Sequence, residues 1–152
     1  MPLKDYLGET NLYDKKEKIE RNKVKSWLKS VSAFSNNNGG KILFGITEDN
    51  EIKGLDDFKG DSEFISETIK TRIDPIPEFD MEIKEFSEGT IIILSIFQGR
   101  NTPYYFIESG SRTAYKRVGN QSVIATSVDL LNLTAVRNKL MIRYYLTNML
   151  IM

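Results

Sequence analysis

Residues 32–46 read Ser32-Ala33-Phe34-Ser35-Asn36-Asn37-Asn38-Gly39-Gly40-Lys41-Ile42-Leu43-Phe44-Gly45-Ile46, and here a helical pattern stops at a glycine pair and a strand pattern begins at once. Upstream, Val24, Trp27, Leu28, Val31 and Phe34 recur at helical spacing, with Asn22 placed to cap them. Lys23, Lys25, Ser26, Lys29 and Ser30 fill the opposite face, so residues 22–36 read as an amphipathic helix. Three asparagines and two glycines then tolerate the left-handed backbone that a helix C-terminus needs. Two readings stay open at this junction: a tight helix cap and nothing more, or a loop whose backbone amides face a ligand.

The 152 residues are 40% hydrophobic, enough for one domain with its own core. With no cysteine and no histidine there are no disulfides, thiolate or imidazole metal sites, and no Ser-His or Cys-His nucleophile. Any catalysis must use carboxylates, lysine, tyrosine or a hard metal ion. The first residues lack the apolar core of a signal peptide and the longest uncharged apolar stretch, residues 90–98, cannot span a bilayer, so the expectation is a cytoplasmic chain. Twenty-one basic and twenty-one acidic residues cancel, and a polyanion partner would have to be met by local patches. One patch is Lys15, Lys16, Lys18, Arg21, Lys23, Lys25 and Lys29; a second set, Arg100, Arg112, Lys116 and Arg117, could join it only in the fold.

Punctuation divides the rest into strands and helices. Residues 42–46 and 51–53 flank a turn and suggest a hairpin. Asp61 or Ser62 is placed to cap a helix bearing Phe64, Ile65, Thr68, Ile69 and Ile73, ended by Asp74-Pro75. Phe79, Met81 and Ile83 alternate with polar residues, as in a strand with one wet face, whereas residues 91–97 are apolar on both faces, as in a covered central strand. Residues 104–107 are expected to pair with 113–118. Thr126 and Asp129 form an Asp-type capping box before a last helix, and beyond it Val136, Leu140, Met141, Tyr144, Tyr145, Met149, Leu150 and Ile151 are too apolar for a free tail. Three readings of that tail stay open: a helix docked on the domain, a homodimer surface, or a piece of a longer protein. The expected fold class is α+β, a mixed, mostly antiparallel sheet with two or three packed helices, over residues 5–133, followed by an apolar helical extension at 134–152.

The order of these motifs resembles the Schlafen-type AlbA domain family, described as a DNA-binding domain of bacterial regulators and once as a divergent AAA domain. The resemblance rests on Glu9 and Asp14 five residues apart, Ala33-Phe34-Ser35-Asn36-Asn37-Asn38-Gly39-Gly40, Gly45-Ile46-Thr47-Glu48-Asp49, Ile52-Lys53-Gly54-Leu55, Pro103, and Tyr115-Lys116-Arg117-Val118-Gly119. It departs from the family pattern at Asp14, where glutamate is usual, at Lys15, where an aromatic is usual, and at Thr47-Glu48. The resemblance implies a domain that uses a basic surface on DNA or RNA in a transcriptional-regulator-like protein, with no membrane partner and no required cofactor. The contacts it suggests are Lys16, Lys23, Lys25, Lys29, Asn36, Asn38, Gly39, Gly40 and above all Arg117.

Two alternatives accompany it. Some Schlafen relatives look like metal-dependent ribonucleases built on three carboxylates, and the matching positions are Glu9, Asp14 and Glu48, which would hold Mg²⁺ or Mn²⁺. The older divergent AAA label implies ATP binding, but Asn38-Gly39-Gly40-Lys41 precedes a strand, whereas a phosphate loop follows one.

Overall fold

The computed structural model describes residues 12–151. Its elements are β1 (Tyr13–Lys16), α1 (Lys25–Asn36), β2 (Gly40–Phe44), α2 (Phe58–Arg72), β3 (Ile73–Asp74), β4 (Phe79–Phe86), β5 (Gly89–Ile96), β6 (Tyr105–Glu108), β7 (Ser111–Val118), β8 (Gln121–Ile124) and α3 (Ser127–Ile151). The strands form two four-stranded sheets, ordered β1-β2-β5-β4 and β3-β6-β7-β8. Among the described residues only the β1–β2 pair is parallel. The class is α+β as expected, with the strands divided between two sheets instead of one.

The division follows from α1. Its C-terminal two turns are buried all round, Ser30, Ser32, Ser35 and Asn36 included, so it is not the half-wet helix its lysines suggested. Trp27, Leu28, Val31 and Phe34 pack with Ile42, Phe44, Ile92, Leu94 and Ile96 of the first sheet, and Trp27 meets the Phe44 ring edge to face at 5.8 Å. On its other side the small polar residues meet the second sheet: Ser32 Oγ donates to the Tyr104 carbonyl at 2.9 Å and accepts from the Tyr115 amide at 3.0 Å. Serines let strand backbone approach closely while satisfying its polar groups. The helix starts at Lys25, not at 22; the Ser26 and Trp27 amides bond the carbonyls of Lys23 and Val24, and this tight turn replaces the expected Asn22 cap.

The expected central strand is β5, whose Ile91, Ile92, Ile93, Leu94 and Ile96 are buried. Phe79 and Met81 of β4 reach the main core, but Ile83, on an edge strand, is 42% exposed, so the predicted alternation fails there. The hairpin expected at 42–53 shrinks to one bridge, Ile46 with Ile52, because β2 ends at Phe44 before Gly45, whose φ is +101°. Helix α2 starts earlier than expected, since Asp57, not Asp61 or Ser62, accepts the Gly60 amide at 3.1 Å. The capping box is as read: the Thr126 amide donates to Asp129 at 2.8 Å and the Asp129 amide to Thr126 Oγ1 at 3.2 Å. Helix α3 then runs unbroken across residue 134, with residues 138–150 all exposed, so the docked tail is not what the described residues show. Among the described residues no helix is long and apolar enough to cross a membrane.

Candidate functional site

Strand β1, the first turns of α1 and the β7–β8 hairpin converge on a cleft of about 310 Å³. β1 supplies Asp14, Lys15 and Lys16; α1 supplies Ser26, Lys29 and Ser30 at helical spacing on one face; the hairpin supplies Arg117, Asn120, Gln121 and Ser122; and Glu48 closes one end. At the floor, Arg117 Nη2 donates to Asp14 Oδ1 at 2.6 Å and Nη1 to Oδ2 at 3.2 Å. Arg117 Nη1 also donates to Ser122 Oγ at 2.8 Å, Ser30 donates to Asp14 Oδ2, and the guanidinium lies 4.7 Å above the Phe34 ring. The Arg117 side chain is 3% exposed and that of Asp14 18%. Arg117 Nε and Ser26 Oγ are buried with no hydrogen-bond partner among the described residues.

The charge of the cleft follows from this pairing. Arg117 and Asp14 cancel, which among the described residues leaves three ammonium groups, Lys15, Lys16 and Lys29, against Glu48. The walls are therefore cationic and rich in hydroxyl and amide groups, a combination suited to phosphate and sugar oxygens.

The sequence-derived candidates fall in several places. Lys16, Lys29, Arg117, Asp14 and Glu48 share the cleft, but Arg117 is spent on Asp14 and is no free phosphate contact. Glu9 lies outside the described residues, and among the described residues no three carboxylates gather as a metal site would require. Lys23 and Lys25 line a separate hollow with Phe64, Arg72 and Phe106. Asn36 is structural: its amide donates to the carbonyls of Tyr104 at 3.0 Å and Tyr115 at 2.9 Å and accepts from the Tyr104 amide at 2.7 Å. Asn38, Gly39 and Gly40 line a third hollow with Leu12, Tyr13, Lys41 and residues 95–98. The amides of Asn37 and Gly39 bond the Phe34 carbonyl and that of Lys41 the Leu12 carbonyl, so these groups form no amide cradle for a ligand or a nucleotide phosphate. The second basic set is mostly consumed, Arg112 by Asp74 at 2.7 Å and Lys116 by Asp129 at 2.9 Å.

Sequence reasoning missed β8, and with it Gln121 and Ser122, and it assigned Ser26 and Ser30 to a wet helix face. Gly119-Asn120 carried the signal for β8: two turn residues between extended runs mark a tight hairpin, and Val118 pairs with Gln121 across them.

No curated protein matches the chain. Among solved structures it resembles the N-terminal domain of a RecG-related protein from Nitrosomonas europaea, with TM-score 0.54 and 18% identity over 77% of this chain and 84% of that one. It also resembles the DIP2311 protein from Corynebacterium diphtheriae, with TM-score 0.54 and 21% identity, covering 78% of this chain but 22% of that much longer one. These likenesses speak for the fold, and the sequence itself supplies the kinship: residues 9–126 match the family described as Schlafen, AlbA_2, and the chain belongs to that family.

Proposed function

We propose that this domain binds nucleic acid, with Lys16 and Lys29 neutralising backbone phosphates in the cleft and Lys15, Asn120 and Gln121 completing its rim. The observation that carries the reading is the internal neutralisation of Asp14 by Arg117, which leaves an excess of lysine on a polar cleft. Family membership supports it, and one structural neighbour is described as related to the DNA helicase RecG. Lys23 and Lys25 extend the basic surface past the start of α1, since Lys25 stands one helical turn from Lys29. Phosphate contacts of this kind give weak sequence preference and strong salt dependence. In fuller form the reading is a module of a cytoplasmic bacterial regulator that pairs through α3, and the exposed apolar residues of α3 support the pairing.

A hydrolytic reading has one observation in its favour: Asp14 and Glu48 line the same cleft. Two carboxylates can hold Mg²⁺ or Mn²⁺, but Asp14 would first have to leave Arg117. One experiment separates the readings: labelled single- and double-stranded DNA and RNA titrated with protein at low salt, with Mn²⁺ or EDTA. Intact, retarded substrate that is released by salt and weakened in Lys16→Ala/Lys29→Ala supports binding. Mn²⁺-dependent fragments lost in Asp14→Ala would make the domain a nuclease, and no retardation with any substrate would overturn both.

A further inference from the structure

The hollow beside the glycine pair differs in chemistry from the cleft. Leu12 and Tyr13 form one wall, and Phe97, 46% exposed just past the end of β5, forms another. The floor is bare backbone: Gly39, at φ +81°, lies so near the Ile96 carbonyl that an added Cβ would come within 2.7 Å of its oxygen. Asn38 and Gln98 are exposed at the mouth, and their side-chain amides make no hydrogen bond among the described residues. Lys41 adds an ammonium without a carboxylate partner among the described residues.

An aromatic face, a flat floor and two free amides, each able both to donate and to accept, match an unpaired nucleobase, which has a π-face and a hydrogen-bonding edge. Position supports the match. β1, the edge strand of the first sheet, joins the two: Tyr13 lines this hollow and Asp14, about 3.3 Å further along and on the opposite face, lines the cleft, so a strand that rounds the sheet edge at β1 meets both concavities. A duplex keeps its bases stacked inside and has none to offer here.

We infer that this hollow holds one unpaired base of a strand whose phosphates lie in the lysine cleft, so that the domain selects single-stranded over double-stranded nucleic acid. The inference rests on the nucleic-acid reading above.

The test uses the full chain and fluorescence anisotropy with three probes: a single-stranded oligonucleotide, its duplex, and an abasic single strand of equal length. The single strand binds tightest, the abasic strand binds like the duplex, and Phe97→Ala weakens the single strand by about 5- to 100-fold while leaving the duplex unchanged. Asn38→Ala acts in the same direction, and circular dichroism verifies that both variants fold. Equal binding of normal and abasic strands, unaffected by Phe97→Ala, overturns the base pocket while the lysine cleft stands. Failure of the unmodified chain to bind any probe overturns the nucleic-acid reading beneath it.

Discussion

Arg117 and Asp14 meet through two parallel contacts, 2.6 Å and 3.2 Å, that tie β7 of one sheet to β1 of the other. The pair is a structural clasp, and removing one half strands the other in a site with little water. Arg117→Met should destabilise the fold by about 2–3 kcal/mol, the lower end for a buried pair because Asp14 keeps some solvent. Asp14→Asn combined with Arg117→Met should lose less than the sum of the singles, since no unpaired charge remains. Urea denaturation of the four proteins measures the coupling, and additive losses would show that the clasp contributes nothing as a pair.

Asn36 gives a second expectation of stability without function. Asn36→Ala leaves the Tyr104 amide and the Tyr115 carbonyl without their Asn36 partner in the interior, while the Tyr104 carbonyl keeps Ser32, a loss of about 2–3 kcal/mol when unsatisfied buried groups are counted. The denaturation midpoint should fall with little change in slope, while nucleic-acid affinity under folding conditions should match that of the unmodified chain. A selective loss of affinity would return Asn36 to the binding surface.

How much could be read in the sequence differs between backbone and site. Helical spacing and the glycine pair located α1 and β2, because Gly40 is required where an added Cβ would come within 2.5 Å of the Phe34 ring and Gly39 where φ is positive. The continuous apolar run located β5, and Thr126 with Asp129 located the start of α3. The partner of each polar residue was not legible. Lys29 and Ser30 are neighbours in one helix and line the same cleft, yet Lys29 keeps part of its surface in solvent and Ser30 is buried against Asp14, a distinction made by a second sheet that no local pattern announces. Arg117 looked like a contact because it matches the arginine of the family's Tyr-x-Arg-x-Gly segment, and only the fold brings Asp14, 103 positions away, to meet it.

The cap of α3 carries a pH signature. Lys116 first, then the amide and hydroxyl of Thr126, hold the Asp129 carboxyl down to about 2 from its ordinary 3.8. The folded value lies below the unfolded one, so the stabilisation is complete above pH 3.8 and is lost as pH falls toward 2. Asp129→Asn should be less stable than the unmodified chain at neutral pH, with the difference shrinking across that window. A difference that stays constant with pH would remove the charged cap from the account.

Residues 138–150 of α3 are exposed throughout, Leu150 by 87%, so the domain draws little stability from them. A chain ending at residue 138 should unfold at nearly the same temperature as the full chain and stay in solution at higher concentration, because the exposed apolar surface is gone. A large drop in unfolding temperature would mean that this part of the helix packs on the domain in solution. A fall in apparent mass on truncation, by sedimentation, would assign it to pairing.

The cleft lysines give a quantitative expectation. Each phosphate neutralised on a single strand contributes roughly 0.7 to the slope of log affinity against log salt, and on duplex DNA about 0.9. Lys16→Ala and Lys29→Ala should each lower that slope by about this amount, and the double variant by about twice as much, with losses similar across sequences because phosphates carry no base identity. Asp14→Asn/Arg117→Met, by contrast, should leave the slope unchanged wherever the protein remains folded, because the two charges cancel and leave together. A slope that fell with Arg117 and not with Lys16 or Lys29 would reverse the assignment and place the phosphate on the clasp itself.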